Sequence, residues 1–343
     1  MKDKLKNGIN YLNPISSDLD KNEFSTATGE GEILPLLSIS KEDFLSLSSA
    51  EISRLVRQKN DDLTGIFLAD GNRRLVMALT GKTPGSQGFY EAYSEIAISR
   101  FMQNLEVFFS HGIRRLFFPI FGNSILERDK EFLQSVIPSL INSLFQDSAW
   151  LRFYNQYNIR VEFYGSPGKL DGVFPHLGLS GKIGEMKNQT SGNTAHILYY
   201  GFFSDSCLDQ VFSRHILRFI DEKGKEPNRD ELTRIYYGEY VPQADFFINS
   251  TRAAGLGALP PLAYGKNTRI YTTAAPGIFA VDSSLIREIL YDLLIESSLL
   301  NSSSEANSLT QHDLDNLKDF YFSNRHVFTG RTRKIGRFQV LDI

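Results

Sequence analysis

A single cysteine, Cys207, stands in 343 residues. That excludes an internal disulfide and any cysteine-based zinc site, and it suits a reducing compartment. No stretch is apolar for long enough to span a bilayer. The start, Met1-Lys-Asp-Lys-Leu-Lys6, lacks the apolar core of a secretory signal. A cytoplasmic protein without an integral membrane segment is expected, and the Asn-x-Ser/Thr triplets at Asn188, Asn249 and Asn301 carry little weight as glycosylation sites. Charge of one sign is also lacking. A net charge of -3 gives no reason to expect nucleic acid or an anionic membrane as partner. The six histidines show neither His-x-His nor His-Glu-x-x-His spacing, so they are not expected to bind metal. Against one tryptophan there are 26 phenylalanines and 15 tyrosines, as many as an aromatic-lined pocket or an ordinary core would need.

Residues 1–32 are polar and are expected to be flexible. Ser40 to Arg57 has apolar residues at helical spacing, with Ser40-x-x-Asp43 as its capping box. From Gln87 to His111, Tyr93, Ala97, Phe101, Leu105 and Phe108 share one helix face, stopped by Gly112. Glu127 to Phe145 is helical, with Pro138 as a kink point. Apolar runs predict strands at Leu63–Ala69, Arg114–Ile120, Ile159–Tyr164, His196–Phe203, Asp245–Asn249 and Arg269–Thr273. Helices are expected over Leu208–Ile220, from Asn228-x-x-Glu231, and over Leu285–Leu300. The glycine- and serine-rich segment Gly178–Asn193 is expected as a loop, Asn301–Ser308 as a linker and Thr310 as the start of a last helix. Strands alternating with helices imply an α/β fold, a mostly parallel six-stranded sheet flanked by helices. Ligands of such sheets sit beyond the carboxyl ends of the strands.

The run Leu63-Thr-Gly-Ile-Phe-Leu-Ala-Asp70-Gly-Asn-Arg-Arg74 combines a buried strand with a sharp turn. Gly71 permits the turn, and Asn72 is suited to cap a following helix. Arg73 and Arg74 beside free backbone N–H groups suit a phosphate or diphosphate. Asp70 could hold a metal, orient a nucleophile or stabilise a cation. The plainer reading of the same residues is a strand-to-turn corner with solvated arginines.

Asp-Gly-Asn-x-Arg after an apolar strand resembles the first signature of the cis-prenyltransferases, where the acid and arginine hold an allylic diphosphate. The parts for chain elongation depart from that family. Thr64 stands where a histidine is expected, and Ile125, within Gly122-Asn-Ser-Ile-Leu126, stands where an asparagine is expected. Asn249 to Gly257 does not match the stretch that holds isopentenyl diphosphate, and Arg269 falls near the place of a magnesium-binding glutamate. Chain elongation is therefore not expected. Tyr236-Tyr-Gly-Glu-Tyr240 with Asp245-x-Phe-Ile248, His111-Gly-Ile113, Pro119-Ile-Phe121, Phe163-Tyr-Gly165 and Arg287-x-Ile-Leu-Tyr-Asp292 resemble a narrower branch, the tuberculosinyl-adenosine transferase-like enzymes. The resemblance runs in order from about Ser38 to Gly330.

That branch ionises a diterpenyl diphosphate and passes the allylic cation to adenosine or to water. The resemblance implies a catalytic domain over residues 33–300, with 301–343 as linker and helical tail, and a homodimer. It makes Asp70 and Tyr93 catalytic, and assigns diphosphate binding to Gly71, Asn72, Arg73, Arg74 and Arg252. Lys266 matches a lysine before the sixth strand. Glu239 is either a buried structural acid or a base near the acceptor. Asp245 is either catalytic or a strand-end residue paired with an arginine. Magnesium at Asp70 is compatible with the loop, although two or three arginines could partly replace it. The alternatives are a terpene synthase acting on a linear prenyl diphosphate and a non-catalytic prenyltransferase subunit. The retained acid and arginines place the non-catalytic reading last.

Overall fold

The structure is a computed structural model that describes residues 39–204, 208–250, 259–296, 310–325, 327 and 331–341. Residues 1–32, Cys207, Arg252 and the 301–308 linker lie outside the described residues. In chain order the elements are α1 (Lys41–Ser46), α2 (Ser49–Lys59), β1 (Thr64–Phe67), α3 (Asn72–Thr80), α4 (Phe89–Ser110), β2 (Arg115–Phe121), α5 (Lys130–Gln146), α6 (Ser148–Gln156) and β3 (Ile159–Gly165). They continue with α7 (Gly168–Val173), α8 (Leu179–Thr190), β4 (His196–Phe202), α9 (Leu208–Lys223), α10 (Arg229–Tyr237), β5 (Phe246–Ser250), β6 (Arg269–Thr273), α11 (Gly277–Ala280), α12 (Ser283–Tyr291), α13 (Gln311–Asn324), β7 (Thr332–Ile335) and β8 (Phe338–Leu341).

Strands β1 to β6 form one sheet in the order β3-β4-β2-β1-β5-β6, and every pairing is parallel. β1 is central, with Ile66 opposite Phe117 on one side and Phe247 on the other. It is buried along its whole length, as a strand covered on both faces must be. Alternation then sends successive side chains to opposite layers. Phe67 meets Phe108 of α4 and stacks on Phe118, with ring centroids 5.3 and 5.5 Å away. Ile66 joins Phe117, Tyr199 and Tyr237 on the other face, under α10. The sheet is thus clamped between two aromatic layers, and its carboxyl edge is held in place.

Some local expectations are revised. The 40–57 helix is two helices, because Ser48 and Glu51 close a capping box of their own at the start of α2. The 178–193 loop is helix α8. Leu179, Met186 and Thr190 recur at helical spacing and are buried, and the Thr190 hydroxyl accepts the Val161 N–H at 3.1 Å. The Asp171 carboxylate accepts the N–H groups of Leu179 and Ser180, at 2.7 and 3.0 Å, and so serves the α8 N-terminus in place of a local cap. Asn228 and Glu231 form the expected capping box of α10. The 285–300 helix is α12 followed by a π-helical turn over Asp292–Glu296. Residues 297–300 lie outside the described part. Thr310 caps α13 as expected, and the antiparallel hairpin β7–β8 beyond it was not anticipated. Among the described residues no helix is long and apolar enough to cross a membrane.

Candidate active site

The site grows out of the carboxyl end of β1. Leu68 prolongs the ladder by donating its N–H to the Ile248 carbonyl at 3.0 Å. The next turn is fixed by Ser250, the buried last residue of β5. Its Oγ accepts the Asp70 N–H at 3.0 Å and donates to the Leu68 carbonyl at 2.9 Å. Gly71 follows with φ +84°, a left-handed conformation that any side chain would strain. It, and not Asn72, occupies the N-cap of α3, so the expected Asn72 cap is not formed. Gly71 has no side chain to spend on the helix end, and α3 begins without a side-chain cap. The uncapped first turn and the helix dipole leave positive potential where an anion can bind.

The side chains divide around this corner. Asp70 and Arg73 are exposed, Arg74 is half-buried and Asn72 is buried. The Gly71 N–H donates to Asp70 Oδ1 at 2.6 Å, and Asn72 Nδ2 donates to the Ala69 carbonyl at 3.1 Å. Tyr93 of α4 stands against the Asn72 amide, and the charges of Arg128, Arg73 and Asp70 all act on its hydroxyl. Burial pushes the phenol up to about 12, so it is neutral at working pH. Its ring packs between Phe89 and Phe132, at 6.4 and 5.7 Å. Beside it Tyr90 donates to Asp129 Oδ2 at 2.7 Å, and Asp129 Oδ1 accepts the Phe132 N–H that caps α5. The charge of Arg73 is felt at Tyr90, Tyr93 and Asp129. Arg74, one residue on and so about 100° around the helix, lines a cavity of about 450 Å³ on the other flank. Leu75, Met77, Ala275, Pro276 and Phe279 help to wall it.

The structure therefore brings Asp70, Gly71, Asn72, Arg73, Arg74 and Tyr93 together. It does not bring Glu239, Asp245 or Lys266 to them. Glu239 accepts two hydrogen bonds from Arg160, at 2.7 and 2.8 Å, and one from Tyr199 at 2.6 Å. Arg160 also pairs with Glu162, which binds Lys187. Asp245 precedes β5 and accepts the Thr64 N–H at 2.8 Å and Asn60 Nδ2 at 3.2 Å, and burial raises its carboxyl above the usual range. These bonds, none from an arginine, hold the entry ends of β1 and β5. Lys266 is exposed in the turn before β6, at the same amino edge of the sheet. Arg269 pairs with Asp292 at 2.6 Å.

Sequence reasoning missed Arg128, Tyr90, Asp129 and Ser250. The 127–145 helix estimate absorbed the first and third, although Asp129-x-x-Phe132 is an N-cap pattern that could have exposed the true start. Ser250 gave no local signal, since its role depends on a strand neighbour 180 residues away.

Among the described residues no group of three or more His, Cys, Asp or Glu side chains could hold a metal ion. Magnesium bound through substrate phosphates needs only one or two protein carboxylates. Asp70 can supply one, with Oδ2 left once Oδ1 has accepted the Gly71 N–H.

No protein-family model matches the chain. Tuberculosinyl adenosine transferase of Mycobacterium tuberculosis is 29% identical over 255 residues, which is 74% of this chain and 82% of the relative. The chain has a cis-prenyltransferase fold and is a sequence relative of tuberculosinyl adenosine transferase. (+)-Kolavelool synthase of Herpetosiphon aurantiacus is 25% identical over 237 residues, covering 67% of this chain and 73% of that one. The cis-prenyltransferase fold is also that of lavandulyl diphosphate synthase from Lavandula x intermedia, solved with dimethylallyl diphosphate. That structure superposes with a TM-score of 0.51 at 13% identity, over 67% of this chain and 94% of its own. The chain is an enzyme of the prenyl- or terpenyl-transferase or lyase class.

Proposed function

We propose that the chain ionises an allylic, diterpenyl diphosphate at the Asp70–Arg74 corner and transfers the cation to a nucleoside such as adenosine or to water. The observation that carries this reading is an uncapped helix N-terminus at Gly71 with Arg73 and Arg74 on it and Tyr93 alongside. The sequence kinship with an adenosine transferase supports it.

Departure of diphosphate builds negative charge on the bridging oxygen and positive charge on carbon. The α3 N-terminus and the guanidiniums stabilise the first, and a preorganised donor of this kind contributes about 3–4 kcal/mol. The Tyr93 ring stabilises the second by a cation–π interaction of up to about 2 kcal/mol once water is excluded. Asp70 adds a negative charge near the same carbon. Magnesium, when bound by Asp70 and the substrate phosphates, would neutralise part of the leaving-group charge. Capture by a nucleophile completes the transfer.

A second reading, a terpene synthase, is favoured by the kinship with (+)-kolavelool synthase. Incubation with geranylgeranyl diphosphate or a bicyclic diterpenyl diphosphate, with and without adenosine, followed by mass spectrometry, separates the two. An adenosine adduct supports transfer to a nucleoside, and a terpene alcohol alone supports capture by water, the kind of product that the name (+)-kolavelool denotes. An alkene alone supports the synthase, and no diphosphate release from any allylic substrate refutes both.

A further inference from the structure

Arg74 serves two places. It stands in the first turn of α3, and it lines the cavity of about 450 Å³ beside that helix. Met77 and Ala78 line the cavity too, three and four residues on and therefore on the same helix face. Pro276 and Phe279 close it from the chain that follows β6, and Ile335 from the end of β7. Phe279 is 46% exposed and Ile335 55%, so the cavity opens to solvent beside them. Tyr93 and its ring neighbours Phe89 and Phe132 do not line it.

The volume and the walls decide which ligand fits. Water takes about 30 Å³ per molecule, so 450 Å³ is room for on the order of fifteen. Ordered water also needs several polar partners, and these walls are mostly aliphatic and aromatic. A single attacking water uses none of this space. Organic ligands occupy mainly apolar sites of about 300–1,000 Å³ with a few polar groups at their edge. Arg74 and Lys82 are the charged residues that line the cavity, and both are cations. A protonated amine is therefore repelled, and a neutral ring with nitrogen lone pairs is favoured. The Phe279 ring suits the face of a flat heterocycle, and a guanidinium donates to its nitrogens or stacks on it.

We propose that this cavity is the acceptor site and takes an uncharged, flat nitrogen heterocycle of purine-nucleoside size. This inference rests on the transfer function proposed above and deepens it, by assigning the Arg74 flank to an organic acceptor in place of water. The acceptor reaches the allylic carbon from the side opposite Tyr93, so ring and nucleophile meet opposite faces of the cation. As the C–O bond breaks, its electron pair stays on diphosphate. The ring-nitrogen lone pair forms the new C–N bond, the base becomes cationic and no proton moves. Diphosphate beside Arg74 balances that charge.

The test is steady-state kinetics with a diterpenyl diphosphate as donor and adenosine as acceptor, on wild type, Ala78→Leu and Phe279→Ala. Both residues are exposed, so neither change disturbs the core. The first fills part of the cavity and the second removes its flat wall. Each is expected to raise the KM for adenosine about ten- to a hundredfold. At a fixed, subsaturating adenosine concentration the ratio of adduct to alcohol should fall at least about tenfold, with the donor KM within about twofold of wild type. Thermal melts check folding, and one folded variant suffices. An unchanged adenosine KM in a folded variant overturns the inference. A rise in the donor KM in its place also does so, and assigns the cavity to the hydrocarbon chain. A wild-type enzyme that gives alcohol and no adduct overturns it while capture by water stands. No diphosphate release from any allylic substrate overturns the function and this inference together.

Discussion

Ser250 seats the Asp70 turn, and Gly277, the first residue of α11, presses against it from the far side. A Cβ at position 277 would lie 2.8 Å from Ser250 Oγ, 2.9 Å from the Phe67 ring and 3.3 Å from the Ala69 Cα. Ordinary carbon contacts are about 3.5–4.0 Å, so Gly277→Ala must move either the serine, the ring or the loop backbone. Overpacking of this kind costs about 1–3 kcal/mol. The loop is the least constrained of the three, and a shift of about 1 Å in a positioning element can cost on the order of a hundredfold in rate. Ser250→Ala acts on the same seat from within. It deletes the acceptor of the Asp70 N–H and leaves that group a longer bond to the Leu68 carbonyl, at 3.2 Å, for a loss of about 1–2 kcal/mol. Gly277→Ala should therefore lower kcat/KM by about ten- to a hundredfold, more than its effect on thermal unfolding would imply. In the double variant the new methyl no longer meets the hydroxyl, so the two effects should fall short of additivity by about 0.5–1 kcal/mol. Diphosphate release assays and thermal melts on the three variants measure this. Reduced melting temperatures with unchanged kcat/KM, or strict additivity, would refute Ser250 as the seat of the loop.

Arg73→Ala and Arg74→Ala should each weaken inhibition by inorganic diphosphate about ten- to a hundredfold, the worth of one charge-assisted hydrogen bond; unchanged inhibition in either would remove that arginine from the site. His196 is buried, donates to the Ile113 carbonyl at 2.7 Å, and desolvation lowers it from 6.5 to about 4. Its unfolded form therefore binds a proton that the folded form refuses. The stability it contributes is whole above pH 6.5 and is lost as pH falls towards 4, by up to about 3 kcal/mol. His111, lowered mainly by burial, adds to the loss below 6.5. Denaturant melts across that range should show the decline, and His196→Gln should flatten it. Treatment with EDTA should leave at least about a tenth of the turnover, since the arginines and the α3 N-terminus carry most of the leaving-group charge; complete loss restored by magnesium would contradict that balance.

The sheet was legible because its strands are short apolar runs bounded by turn residues, and a doubly covered parallel strand needs nothing subtler. Helix α4 was legible from the spacing of Tyr93, Ala97 and Phe101. Helix α8 was not, because glycine and serine between Leu179, Ile183 and Met186 hid a periodicity that only packing on β3 makes decisive. That Asp70, Arg73 and Arg74 share one turn beyond β1 could be read from residue order. Their division between two flanks could not, since it depends on where α4 and α11 dock. Glu239 and Asp245 have the residue type of catalytic acids, and only tertiary contacts reveal that Arg160, Tyr199 and the Thr64 N–H already occupy them. Asn72 reads as a helix cap in sequence, yet the left-handed Gly71 takes that place and the Asn72 amide bonds back to the Ala69 carbonyl.

A crystal structure with a non-ionisable thiolo analogue of geranylgeranyl diphosphate bears most directly on the central claim. The expected density places the two phosphates on the backbone N–H groups and arginines of residues 71–74, with the allylic carbon against the Tyr93 ring. Phosphates bound elsewhere, or a hydrocarbon chain lying away from Tyr93, would contradict it.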